Sequence, residues 1–152
     1  MTATLSSQSE SALSAGQAYQ QALQLTLQQA VRCHRAGELQ EAERLYRAVL
    51  QAQPEHAEAH HNLGVLMLEG RQFDASLPHF EAAVAATPES QRYWLSYIDA
   101  LIRAGETELA QRTLAFGREH GLAGEAADAL AKLLETGVGA AEPAVAESAC
   151  GV

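Results

Sequence analysis

The chain is short of the residues on which disulfide-built, membrane-spanning and nucleic-acid-binding proteins depend. Its 152 residues include two cysteines, four prolines and one tryptophan; aromatics make up 5%, and ten Lys and Arg stand against nineteen Asp and Glu. Cys33 falls within a helical stretch and Cys150 within the last three residues, so no disulfide framework is expected and a reducing compartment fits better. Neither has the setting of a nucleophile. The formal net charge of -9 is concentrated in residues 57–90 and after residue 124, and no Lys/Arg cluster offsets it. Such a field repels nucleic acid and anionic membrane surfaces. No apolar run approaches a membrane span, and the opening MTATLSSQSESALSAGQ lacks the basic and apolar blocks of a secretory signal, so the chain reads as cytoplasmic. Glycine-rich nucleotide loops and phosphate loops are missing as well.

What is present is periodic. An apolar content of 47% suffices for one domain with a continuous core. The stretch AGELQEAERLYRAVLQAQPEH has apolar residues at helical spacing, closed by Pro54, and Pro88 closes a similar helix 34 residues on. Other landmarks fall on the same ruler. Gly37 corresponds to Gly105 and Ala42 to Ala110, while Tyr46, Phe80 and Leu114 occupy one position in three successive units. This period predicts stacked helical hairpins, in which no unit buries its apolar face alone and its neighbours cover it.

The predicted organisation is a mobile segment over residues 1–18, a folded domain over 19–136 and a disordered tail over 137–152. Within the domain, repeats are expected at about 23–56, 57–90 and 91–124, followed by an amphipathic capping helix at 125–135. Pro78 fits a helix only within the first turn, where its missing amide hydrogen had no partner anyway, so its helix is expected to start late. EHGLAGE replaces the closing proline in the third unit and marks the end of the series.

With these residues assembled, the chain resembles the tetratricopeptide repeat family over residues 23–124. The resemblance rests on Leu63-Gly64 and Trp94 in first helices, Gly37 and Gly105 at turns, Ala42, Ala110, Tyr46 and Phe80 in second helices, and Pro54 and Pro88 at the ends. It departs at Thr26 and His60 in the place of Trp94, at Ile98 in the place of Ala30 and Gly64, and at Ser76 in the place of Ala42. The implied fold is all-α, a right-handed superhelical stack of three repeats with a C-terminal capping helix. The chain also looks like the repeats that precede catalytic domains in bacterial protein glycosyltransferases and sulfotransferases, yet the remaining sequence is too short for a transferase fold. The resemblance further implies a concave groove lined by the first helices, which directs Leu27, Val31, His34, His61, Asn62, Val65, Leu68, Arg92, Leu95, Asp99, Ile102 and Arg103 toward a ligand. Of a chaperone-type carboxylate clamp only Asn62 and Arg92 match; Leu27, Val31 and Ser96 hold the other places, so that specificity is not expected.

The densest titratable group is His56, His60 and His61. A helix puts His56 and His60 on one face at a metal-compatible spacing, but no third ligand is identifiable. The reading taken is that His56 starts a helix, His60 packs in the place of Trp94 and His61 faces outward. His61 with Glu58 and Asp99 lacks a nucleophile and an oxyanion donor. No metal, cofactor or catalytic residue is therefore assigned. The function expected is a non-catalytic module binding a peptide or helical segment of another protein, with no nucleic acid and no membrane, and with the oligomeric state left open. The alternative is a stand-alone regulatory or targeting part of a glycosyltransferase or sulfotransferase system.

Overall fold

The structure is a computed structural model that describes the backbone of residues 3–137 and the side chains of residues 14–137. Seven α-helices account for nearly all of the described residues, and the chain divides between Pro54 and Glu55 into two compact units.

The first unit is a hairpin of α1 (Ala3–Arg35) and α2 (Leu39–Ala52). It turns at Gly37, whose φ of 81° lies in the left-handed region, while the Glu38 amide reaches back to the Cys33 carbonyl at 2.9 Å. α2 packs on α1, and Ala42, Leu45, Tyr46 and Val49 of α2 and Leu27 and Ala30 of α1 are buried. The far ends are fastened by Tyr19 Oη donating to the Ala52 carbonyl and Gln53 Nε2 donating to Gln20 Oε1. α1 begins at Ala3 and so runs through residues that were expected to precede the folded domain at 19–136. The reason lies in helix cooperativity: once the packed end of α1 supplies the nucleus, a proline-free run of Ala, Leu, Gln, Glu and Ser adds residues at little cost. Residues 14–22 are exposed.

The second unit contains α3 (Ala57–Glu69), α4 (Phe73–Ala86), α5 (Gln91–Arg103), α6 (Thr107–Glu119) and α7 (Glu125–Thr136). α3 pairs with α4 and α5 with α6, α5 also packs on α4, and α7 closes over both α5 and α6. Its apolar cluster joins Val84, Trp94, Ile98, Leu101, Ala110 and Leu114 to Leu122, Ala127 and Leu134, so α7 caps the last hairpin by burying its own stripe. Gly121 and Gly124, both in the left-handed region, redirect the chain into that cap.

One turn departs from the residue type of the others, and one local expectation needs correction. The ruler that aligns Gly37 with Gly105 puts Arg71 at the left-handed position, and Arg71 takes it at φ 59°, while Gly70 caps α3 at φ -78°. The turn retains its hydrogen bonding, since Gln72 N–H reaches Met67 O at 2.8 Å as Glu106 N–H reaches Leu101 O at 2.9 Å. Arginine there costs about 1–2 kcal/mol relative to a helical residue, and its guanidinium lies 5.9 Å from the Phe73 ring centre. Pro78 lies in the second turn of α4, because the turn fixes the helix start at Phe73. Its missing bond would have gone to the Asp74 carbonyl; both residues are exposed, so water can serve that oxygen. Residues 138–152, which hold most of the expected tail, lie outside the described residues.

One packing rule runs through the hairpins. In the second hairpin Gly64 on the first helix faces the Phe80 ring on the second, and the corresponding positions of the first hairpin hold Ala30 and Tyr46; all four are buried. In the third hairpin the sizes are exchanged, with Ile98 and Leu114 in one cluster.

Candidate interaction face

α3 and α5 are the first helices of consecutive hairpins and pack against each other, so residues on their shared side form a common surface. Its centre is His61. The imidazole is 5% exposed, lies 4.9 Å from the Tyr93 ring centre and meets the Phe80 ring edge-on at 5.7 Å. Its Nδ1 accepts from Arg92 Nη2 at 3.0 Å, which leaves the proton on Nε2 to be donated to Ser96 Oγ at 2.9 Å. Arg92 Nη2 also reaches Asn62 Oδ1 at 3.5 Å, and its guanidinium lies 5.8 Å from the Tyr93 ring centre. A neutral buried imidazole thus holds an exposed cation in place.

Burial, and then the neighbouring Arg92 charge, push the His61 pKa down to about 4, against an opposing pull from the Asn62 side chain. A folded-state pKa below the unfolded value means that the unfolded chain takes up the proton first. The stabilisation is complete above about pH 6.5 and is lost as pH falls toward 4. Between pH 7 and 4.5 the wild type should lose about 2 kcal/mol more than a His61→Gln variant, measured by urea denaturation at each pH. Parallel pH profiles would show that His61 is not buried as a neutral group.

The other predicted groove residues divide by exposure. Asn62, Val65, Leu68, Leu95 and Asp99 are half-buried and Arg92 and Arg103 exposed, with Arg103 Nε bonded to Asp99 Oδ2 at 2.9 Å. Ile102 joins the apolar cluster of the second unit and is buried. His61, expected to face outward, is buried instead, because a ring four positions before Val65 lies in the α3–α5 seam against Tyr93. In the first unit Leu27 is buried, Val31 is half-buried and the His34 ring meets Tyr46, with Nδ1 3.3 Å from its hydroxyl. Of the two carboxylates weighed with His61, Glu58 is exposed and Asp99 is engaged by Arg103. The link from His61 through Arg92 to Asn62 was not legible beforehand; the spacing of 31 between positions 61 and 92 on a 34-residue ruler was the available signal.

Two tetratricopeptide repeat profiles match, one over residues 34–77 and the other over residues 67–111, together about half of the chain. With three helical hairpins on a 34-residue ruler, the chain belongs to the tetratricopeptide repeat family. Among curated proteins no sequence matches it significantly. Solved structures resemble it at low identity. An O-GlcNAc transferase mutant from Thermobaculum terrenum is 27% identical with a TM-score of 0.58, covering 65% of this chain and 19% of that one. MamA from Desulfovibrio magneticus RS-1 is 23% identical with a TM-score of 0.58, over 65% and 56%. The first TPR of Spaghetti (RPAP3), bound to an HSP90 peptide, is 14% identical with a TM-score of 0.68, over 76% and 92%. The chain thus spans about a fifth of the transferase and just over half of MamA. Such repeats are in general interaction modules, and no described helix is long and apolar enough to cross a membrane.

Proposed function

We propose that this chain is a non-catalytic interaction module that binds a peptide or helical segment of another protein on the α3–α5 face. The observation that carries this reading is the pre-set cation: Arg92 is fixed by His61 and Asn62 beside the half-buried apolar residues Val65, Leu68 and Leu95. Apolar side chains with a few fixed polar groups suit a segment that anchors by burial and takes its register from hydrogen bonds. The RPAP3 repeat bound to an HSP90 peptide supports peptide binding by this fold. A second reading, a regulatory or targeting part of a transferase system, is favoured by the likeness to the Thermobaculum transferase.

The test uses wild type, the Asn62→Ala/Arg92→Glu double variant, and Glu81→Lys on the exposed side of α4 as baits in the native cell. Proteins retained by wild type and Glu81→Lys but lost by the double variant are then titrated in a calorimeter. The double variant should weaken binding by at least roughly 2 kcal/mol, and Glu81→Lys should act only through screened long-range attraction. Equal affinities for wild type and the double variant would rule this face out. A partner carrying a transferase domain would select the second reading.

A further inference from the structure

On the other side of α3, His60 meets His79 of α4. Their Nδ1 atoms are 3.1 Å apart and their rings are tilted by 35° with centres 5.4 Å apart. The two helices belong to one hairpin, and both rings are half-buried, close to solvent without being fully open to it. From its counterpart position Trp94 likewise reaches the second helix of its own hairpin, at Phe116. In the second hairpin that contact is made by two nitrogen bases.

Two imidazole nitrogens held this close either share a proton or share a metal ion. Nitrogens about 2.0–2.1 Å from one ion stand about 2.8–3.4 Å apart for bond angles from a right angle to the tetrahedral value, a range that contains the observed separation. Neutral imidazole from two sides suits borderline transition ions, whose affinity for such donors rises through nickel to copper. Among the described residues no group of three or more His, Cys, Asp and Glu converges on one point, so water would complete the coordination. An open site of this kind exchanges its ion and joins two helices without building the fold.

We propose that His60 and His79 form a two-histidine site for a divalent transition ion of the nickel, copper or zinc class, which staples α3 to α4 reversibly. Occupancy would brace α3, the helix that carries His61 and Asn62 on its other side. The inference is independent of the proposed binding face, since it rests on a different side of α3 and on different residues.

The full chain, stripped with chelator and then freed of it, is titrated with nickel chloride by calorimetry and melted with and without the ion. His60→Gln and His79→Gln are each compared with wild type, and His120→Gln serves as control. Folding of every variant is checked first by circular dichroism in chelator. Each pair variant should lose at least about tenfold in nickel affinity, while His120→Gln binds as wild type does. Nickel should raise the melting temperature of wild type and of the control only. Unchanged affinity in both pair variants, or a loss confined to His120→Gln, would overturn the site. If one pair variant fails to fold, the other decides the same question.

Discussion

Replacing Trp94 with alanine should lower the unfolding free energy by about 3–5 kcal/mol, measured by urea denaturation and followed by circular dichroism because the fluorophore is lost. The indole is 5% exposed and belongs to the same cluster as Ile98, Leu114 and the capping residues Ala127 and Leu134. It faces Phe116 at 5.8 Å and stacks near His120 at 6.4 Å between ring centres. α6 is shaped to receive it: a Cβ built on Gly117 would lie 3.3 Å from Trp94 Cε3 and 3.0 Å from a methyl of Leu122. Alanine would therefore leave a cavity that α6 and the cap can close only by shifting together. The indole also has a polar tie, since Nε1 donates to the Pro88 carbonyl at 2.7 Å and fixes the start of α5 to the turn before it. Trp94→Phe separates the two contributions. It retains much of the apolar surface and removes the hydrogen bond, for an expected cost of about 1–2 kcal/mol. A loss below about 1 kcal/mol for Trp94→Ala would remove the indole from the core.

The parts legible in the sequence are those fixed by a repeated backbone requirement. Pro54 and Pro88 cannot continue a helix, Gly37 and Gly105 provide the left-handed turn, and a ring at position 46 or 80 needs a small partner; together these define the period and hence the hairpins. The rest depends on what one side chain meets across a seam. Arg71 occupies a glycine position because the hairpin's register outweighs the preference of one residue, and the same register starts α4 ahead of Pro78. Helical periodicity assigned His60 and His61 to faces of α3 without identifying their partners. His61 looks polar in sequence but is buried through its bonds to Ser96 and Arg92. His60 looks like a weak substitute for tryptophan until His79 appears opposite, nineteen positions away on the neighbouring helix. The residues proposed for the binding face were legible as positions on first helices; the fixing of Arg92 by a neutral imidazole was not, because burial decides the imidazole's charge and burial is a tertiary property.

The exchange of sizes between the second and third hairpins leads to the other large effect. Gly64→Ile should destabilise the protein by about 3 kcal/mol or more, even though isoleucine is the residue found one period later at position 98. A Cβ at position 64 would lie 2.9 Å from Phe80 Cζ and 3.0 Å from both Cε atoms, so the tip of the ring occupies the space that the glycine leaves. Phe80 is fully buried and touched edge-on by His61, which leaves the ring little room to swing aside. The better helix propensity of isoleucine returns less than about 1 kcal/mol, too little to offset that overlap. Phe80→Leu alone should cost about 1–2 kcal/mol through the space it opens. Combined, the two substitutions recreate the Ile98 and Leu114 arrangement of the third hairpin, and the loss should fall short of the sum of the single losses by at least about 1.5 kcal/mol. A double-mutant cycle in urea measures that coupling directly. Additivity within about 0.5 kcal/mol would mean that the two positions are filled independently, and that the alternation of small and large residues along the ruler is not a packing rule of these hairpins.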